Sequence, residues 1–320
     1  MQGLIIENIA NLYKIENREK DKSKKNSQKE IYEAYARGKF KKEEITPVVG
    51  DFVEFEVTDE ENKKAVITKI LERKVYIKRP KMSNITQLVL VVSSKDPKPD
   101  LLMLDKQLAF AEFLDLKVCI VLNKIDLDDE KEFKSIKEIY SKIGYEVIET
   151  QANKRSEQKN EELSKQAIEE DKSIDNLILK LKGNINVLAG NSGVGKSTLI
   201  NAIFKKELTQ EGEISNRNKR GKNTTTSTKL YEIEENTYIA DTPGFSTFSI
   251  EEILSNRLAE YFKEFRDEIQ NCEFASCTHI KEENCGIKQA IKEGKISQDR
   301  YDRFCKIYEE LKQKEERKKW

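Results

Sequence analysis

The residues Gly190, Asn191, Ser192, Gly193, Val194, Gly195, Lys196 and Ser197 match the pattern G-x-x-x-x-G-K-[ST], with Thr198 directly after it. Glycines in such a loop let backbone N–H groups turn inward around phosphate oxygens with no Cβ in the way. Lys196 would bring a positive charge to the β- and γ-phosphates, and the Ser197 hydroxyl would ligate Mg2+. The apolar run Ile185 to Ala189 precedes the loop and a helical stretch follows from Lys196, so the helix N-terminus would add its positive dipole end. A chance glycine-rich turn would not carry both flanks.

A second motif, Asn123, Lys124, Ile125 and Asp126, follows the apolar run Val118 to Leu122. Parallel strands bind ligands beyond their carboxyl ends, where this motif falls. Guanine presents N1–H and N2–H2 donors side by side, and the Asp126 carboxylate could accept both in a charge-assisted pair. Adenine would leave that carboxylate unsatisfied, at a cost of about 1–3 kcal/mol. Asn123 could serve guanine N7 and brace the loop, and the stem of Lys124 could lie over the base. Four such residues alone are usually a surface turn; beside a phosphate loop they imply guanine selectivity.

Asp241-Thr-Pro-Gly244 also follows a short strand, Tyr238 to Ala240. Asp241 could hold Mg2+ through water and the Gly244 N–H could touch a γ-phosphate. Between this motif and the phosphate loop lie Thr224, Thr225 and Thr226, one of which would complete the Mg2+ shell when a γ-phosphate is present. The plain alternative for these β-prone residues is a strand. Loops held by γ-phosphate and Mg2+ relax on hydrolysis, which makes a switch. Phe245 stands where many GTPases place a water-orienting glutamine, so slow intrinsic hydrolysis is expected. The base-reading motif precedes the phosphate loop, the reverse of the common order, and a circular permutation would preserve the site.

Cys272, Cys277, His279 and Cys285 offer three sulfurs and the chain's single histidine within a short span. A closed Cys3His set suits a tetrahedral structural Zn2+, the alternative being free thiols on a helical surface. Cys305 reads as a helix residue.

Positioning these groups requires strands alternating with helices from residue 85 onward, hence a parallel sheet covered on both faces. Strands are expected at Leu88–Val92, Val118–Leu122 and 146–149, and helices over 101–114 and 130–142; residues 153–173, polar and charged, could be a solvated helix or a disordered insert. Residues 1–75 read instead as short strands (Leu4–Ile6, Ile9–Tyr13, 48–57, 65–71), a small β-barrel such as an oligonucleotide-binding fold, with or without a ligand. The charge run Lys14 to Glu30 reads as a solvated loop. Beyond residue 250 the chain is helical, with Tyr301, Phe304, Tyr308 and Leu311 at core spacing.

At 320 residues two or three domains are expected. Lys plus Arg and Asp plus Glu both number 58, so a basic nucleic-acid face must be local; Arg37, Lys39, Lys41 and Lys42 are candidates, the alternative being a solvated basic loop. No apolar run reaches the ~18 residues of a membrane span, and no signal peptide is evident. Five cysteines do not suggest a secreted disulfide framework and fit a reducing cytosol.

With these residues taken together, the chain resembles the ribosome small-subunit-dependent GTPase A family of bacteria over essentially its whole length. The resemblance rests on Arg37-Gly-Lys-Phe, Val49-Gly-Asp51, Arg79-Pro80, Asn84, the three nucleotide motifs, the threonines and the Cys3His cluster in permuted order. It implies a multidomain α/β protein: an oligonucleotide-binding barrel over 1–75, a circularly permuted P-loop GTPase domain over 76–248 and a helical zinc-binding domain over 249–320. It implies GTP and GDP with Mg2+, one structural Zn2+, the small ribosomal subunit and its rRNA as partner, a late role in assembling that subunit, and GTP hydrolysis stimulated by it. A cytoplasmic monomer with no membrane partner is expected. Two departures stand out: Asn223 replaces a histidine before the threonines, and Thr150-Gln-Ala-Asn153 replaces a Ser-Ala loop, making Ala152 the nearest backbone contact to guanine. A nucleotide-controlled rRNA-binding scaffold with negligible turnover is the alternative from another class. An ATP-using P-loop enzyme is a third.

Overall fold

The computed structural model describes residues 1–19, 29–38, 40, 45–127, 132–151, 162–210, 228–241, 250 and 252–317. Its strands, in chain order, are β1 (Gln2–Ile9), β2 (Leu12–Asn17), β3 (Ile31–Ala36), β4 (Phe52–Asp59), β5 (Lys64–Ile70), β6 (Tyr76–Lys78), β7 (Lys81–Ser83), β8 (Gln87–Ser93), β9 (Lys117–Asn123), β10 (Glu146–Thr150), β11 (Ile185–Ala189), β12 (Lys229–Glu234) and β13 (Thr237–Asp241). Its α-helices are α1 (Leu101–Phe113), α2 (Glu132–Lys142), α3 (Glu162–Leu181), α4 (Lys196–Gln210), α5 (Arg266–Ile269), α6 (Gly286–Lys292) and α7 (Gln298–Arg317). The chain forms two compact units: residues 1–87, 181–187 and 204–245, and residues 88–180, 188–203 and 246–320.

In the first unit, β1 to β5 run in the order β1-β2-β3-β5-β4 and close through β1–β4 pairing. All contacts are antiparallel except β3–β5. This is a five-stranded barrel. Tyr32 and Ala34 of β3, Val53 and Phe55 of β4 and Ala65 and Ile67 of β5 are buried at alternating sites, as a half-buried sheet demands, whereas β1 is buried without a break from Gly3 to Glu7. Two expectations change here. Ile9 to Tyr13 is not one strand: Ala10 adopts φ +57° and turns the chain, so that Ile9 closes β1 and Leu12 and Tyr13 open β2. The run from Lys14 begins as β2, in which Ile15 and Glu16 are buried; residues 20–28 lie outside the described residues. Strand β12, for which the sequence reading had no expectation, pairs antiparallel with β13 and with β1. Strand β11 pairs parallel with β13, Ile185 opposite Tyr238 and Val187 opposite Ala240.

In the second unit, β8, β9 and β10 lie side by side, β9 and β10 parallel with Asn123 opposite Thr150. Every residue of β8 is buried, the signature of a strand covered on both faces. The helices expected over 101–114 and 130–142 are α1 and α2, and α3 continues beyond the polar stretch, burying Ile174, Leu177, Ile178 and Leu181. Phe304, Tyr308 and Leu311 of α7 point inward, packing with Phe262 and Phe265 through ring contacts of Phe304. Cys119 is buried within β9, which pushes its thiol up to about 12 and leaves it unreactive at neutral pH. No described helix is long and apolar enough to cross a membrane.

Candidate functional site

The phosphate loop runs from the end of β11 to the start of α4. Gly190 has φ +141°, and a Cβ built there would stand 2.3 Å from the Val91 carbonyl oxygen, so only glycine lets the loop pass β8 this closely. At Gly195, φ +99°, a Cβ would stand 2.2 Å from the Asn123 amide nitrogen. Val194 is buried, and the Leu199 amide donates to the Gly195 carbonyl at 2.9 Å, which begins α4. Lys196 donates to the carbonyls of Gly190 and Asn191 at 2.7 and 2.8 Å. Burial lowers its ammonium below the ordinary lysine value, a cost that a triphosphate would offset. Ser192, Gly193 and Ser197 are exposed and Thr198 is half-buried.

The base-reading motif reaches the same loop. Asn123, the last residue of β9, is 1% exposed; its Nδ2 donates to the Val194 carbonyl at 2.9 Å, and its Oδ1 accepts from Thr150 Oγ1 at 3.0 Å. These two bonds brace the loop, as expected of Asn123. Lys124 has φ +65°, its carbonyl accepts from Ser94 Oγ at 2.8 Å, and its Nζ donates to the Asp96 carbonyl at 2.5 Å. A turn of 3-10 helix, Ile125–Leu127, then presents Ile125 and Asp126 to solvent. Asp100 caps α1 through Met103 and accepts from Asn191 Nδ2 at 3.3 Å, a further tie to the phosphate loop.

These donors and openings fit a nucleotide: a glycine cradle, a partly desolvated ammonium, a helix N-terminus and a free carboxylate face. Asp241 ends β13 in the first unit, half-buried. Thr224, Thr225, Thr226, Gly244, Phe245, Asn223 and Ala152 lie outside the described residues, as do Lys39, Lys41 and Lys42. Arg37 is exposed and pairs with Glu56 at 2.5 Å.

Residues 70–168 and 154–251 match the model of the RsgA GTPase, and residues 2–67 that of the RsgA N-terminal domain. The chain belongs to the RsgA GTPase family. Curated relatives agree: a small ribosomal subunit biogenesis GTPase RsgA of Alkaliphilus metalliredigens is 38% identical over 97% of this chain and 98% of its own. One of Ruminiclostridium cellulolyticum is 37% identical over 97% and 93%. Among solved structures, YjeQ from Thermotoga maritima is 33% identical with a TM-score of 0.77, covering 97% of this chain and 98% of that one. YloQ, described as a circularly permuted GTPase, is 30% identical with a TM-score of 0.75, covering 98% and 95%. Membership of the RsgA GTPase family makes this chain a GTP hydrolase with a permuted GTPase fold and an N-terminal barrel.

The cysteine cluster of this RsgA GTPase also assembles. The ligand atoms of Cys272, Cys277, His279 and Cys285 lie within 4.8 Å of one another. The Cys272 and Cys285 sulfurs are 3.9 Å apart, and His279 Nδ1 is 3.5 and 3.4 Å from them. With metal–sulfur bonds of about 2.3 Å and metal–nitrogen bonds of about 2.0 Å, a tetrahedral ion would set these edges near 3.8 and 3.5 Å. The edges among Cys272, His279 and Cys285 therefore fit a tetrahedral cation, and Cys277 is placed to offer a fourth ligand. Burial lowers the His279 imidazole, favouring its neutral, ligating form, and pushes the Cys277 thiol up to about 12, so metal binding would release protons. Tyr301 donates to the His279 carbonyl at 2.7 Å and the Gly286 amide to Cys272 Sγ at 3.3 Å, fixing two ligands from outside. Cys305 is not among the clustered residues.

The sequence reading missed Thr150 as the orienter of Asn123, and Asp100 beside the phosphate loop. Thr150 lay in view as the first residue of Thr150-Gln-Ala-Asn; Asp100 carries the mark of a helix cap, an Asp directly before an apolar run.

Proposed function

We propose that this GTPase acts on the small ribosomal subunit during its late assembly, and that the subunit stimulates its hydrolysis of GTP. The observation that supports the reading is the hydrogen bond from Asn123 to the Val194 carbonyl, which brings motifs 71 residues apart together, as one nucleotide site in permuted order would require. The relatives named above are small ribosomal subunit biogenesis GTPases across nearly their full lengths.

In this mechanism Asp126 accepts from N1–H and N2–H2 of guanine, the stem of Lys124 covers the base, and the Ala152 N–H faces the guanine oxygen. The backbone of Gly190 to Thr198 wraps the phosphates and Lys196 leaves its loop carbonyls for the β- and γ-oxygens. Ser197, one of Thr224 to Thr226 and, through water, Asp241 would hold Mg2+, which supplies neutralisation of charge on the phosphates. The Gly244 N–H marks the γ-phosphate. Phe245 offers no hydrogen bond to water and Asn223 no ring nitrogen to take a proton, which makes unassisted turnover slow and assigns water positioning to the subunit. The Cys3His set holds structural Zn2+. Domains at 1–75, 76–248 and 249–320 divide the tasks, the barrel contacting rRNA. The protein works in the cytoplasm as a monomer.

Multiple-turnover GTP hydrolysis with and without purified small subunits tests the proposal. Stimulation by about tenfold or more is expected, a threshold well below the roughly 10^3–10^5 that a supplied transition-state arginine gives. Nucleotide-dependent subunit binding with no added turnover would favour the scaffold reading that Phe245 and Asn223 also allow.

A further inference from the structure

Tyr238 stands three residues before Asp241 on β13 and is fully buried. Its amide donates to the Asn184 carbonyl, and its carbonyl accepts from Asn186 Nδ2, both at 2.9 Å, which fixes β13 against the start of β11. Its hydroxyl donates to Glu16 Oε1 at 2.5 Å and accepts from Lys29 Nζ at 3.0 Å. Glu16 belongs to β2 of the barrel and is itself only 4% exposed. Lys29 pairs with Glu16 at 3.1 Å and with Glu232 of β12. The Arg18 guanidinium lies 5.1 Å from the centre of the Tyr238 ring and bonds Asn236 in the turn between β12 and β13.

A phenol donating to a buried carboxylate at this distance is a strong, charge-assisted bond. A cluster of this kind gains little stability over well-packed apolar residues, because each charge is desolvated. What it does provide is interdependence: its members come from β2, β12, β13 and the approach to β3, so moving any one strand breaks bonds in the others. Strand β12 also pairs with β1, Glu7 opposite Lys229, so the hairpin that ends in Asp241 continues the barrel's own sheet.

We propose that Tyr238 is a positioning residue for GTP hydrolysis: through Glu16 it makes the placement of Asp241 depend on the barrel, so that a ligand engaging the barrel is felt at the Mg2+-holding strand. This rests on the reading of Asp241 given above, and the experiment separates the two.

In the full-length chain, the Mg2+ concentration for half-maximal GTP hydrolysis is measured for Tyr238→Phe, Glu16→Gln, the double variant and Asp241→Ala, beside melting temperature and Mg2+-free GDP affinity. Tyr238→Phe and Glu16→Gln are each expected to raise the half-saturating Mg2+ about fivefold, with the double variant no worse than either single one and GDP affinity within about twofold. Should Tyr238→Phe not fold, Glu16→Gln carries the same test alone. A lower melting temperature with an unchanged Mg2+ requirement would reduce the cluster to a structural seal and overturn the inference. If Asp241→Ala also leaves that requirement unchanged, the reading of Asp241 as a Mg2+ ligand fails first.

Discussion

Gly190 shows how much one hydrogen in place of a methyl group can decide. Its φ of +141° and the 2.3 Å that a Cβ would leave to the Val91 carbonyl mean that any side chain must push the phosphate loop off β8. The atom in the way is backbone and cannot rotate aside. Gly190→Ala is therefore expected to cost about 1–3 kcal/mol of stability and to abolish measurable GDP binding, read by urea unfolding and by fluorescence titration with a labelled nucleotide. Retained GDP binding would show that the loop tolerates displacement. Asn123 makes the complementary point: one bond from its amide nitrogen to the Val194 carbonyl and one to its amide oxygen from Thr150 hold the side chain in a fixed orientation, with a second N–H left over. The motifs themselves were legible in the sequence because each is a run of adjacent residues whose chemistry is local. The second partner of each, Thr150 for Asn123 and Glu16 for Tyr238, was not, because a single hydrogen bond to a residue far along the chain leaves no periodicity.

Among the elements, α1 carries the clearest division of labour. Its cap, Asp100, touches the phosphate loop, while Asp105, 0% exposed, faces the C-terminal helix α7. Asp105 accepts from Arg300, from Arg303 Nε at 2.5 Å and from Tyr140 at 2.6 Å, and Arg300, 1% exposed, also pairs with Glu264. Lys106 adds a pair to Glu310 at 2.6 Å. Removing one partner strands a buried charge, so Arg300→Met should lose about 3–5 kcal/mol in urea unfolding. Combining it with Asp105→Asn should cost clearly less than the sum of the two; simple additivity would mean that the pair does not act as a unit. The sequence announced α1 and α7 by apolar periodicity but gave no sign of this clamp, since buried and solvated arginines look alike in a chain so rich in charge. The same ambiguity hid β2: Lys14 and Glu16 suggested a solvated run, whereas Tyr13 and Ile15 face the barrel core and Glu16 is buried by its partners. Strand β12 left little trace because its charged residues, Lys229, Glu232 and Glu234, outnumber its two buried apolar ones, Leu230 and Ile233.

For the whole molecule, the permuted order has a physical consequence. A strand that ends in Asp241 lies in a hairpin whose other strand, β12, pairs with the first strand of the chain, so barrel and hairpin share one sheet within their unit. In the other unit, Asn123 and the glycine-rich loop meet although Asn123 precedes Val194 by 71 residues, because neighbouring strand ends, not chain order, decide which motifs come together. The barrel, the alternation of strands and helices and the metal cluster were all legible at this scale, the last because the sole histidine sits inside the only close-spaced cysteines.

Every function proposed above requires that the assembled site prefer guanine, and the group held responsible is the Asp126 carboxylate. Isothermal calorimetry of GDP and ADP binding to the wild-type chain and to Asp126→Ala tests this most directly. Two hydrogen bonds to a charged acceptor, at about 1.5 kcal/mol each, predict a loss of GDP affinity on the order of a hundredfold, with ADP equally weak before and after. An unchanged GDP affinity, or ADP binding as tightly as GDP in the wild-type chain, would contradict the account.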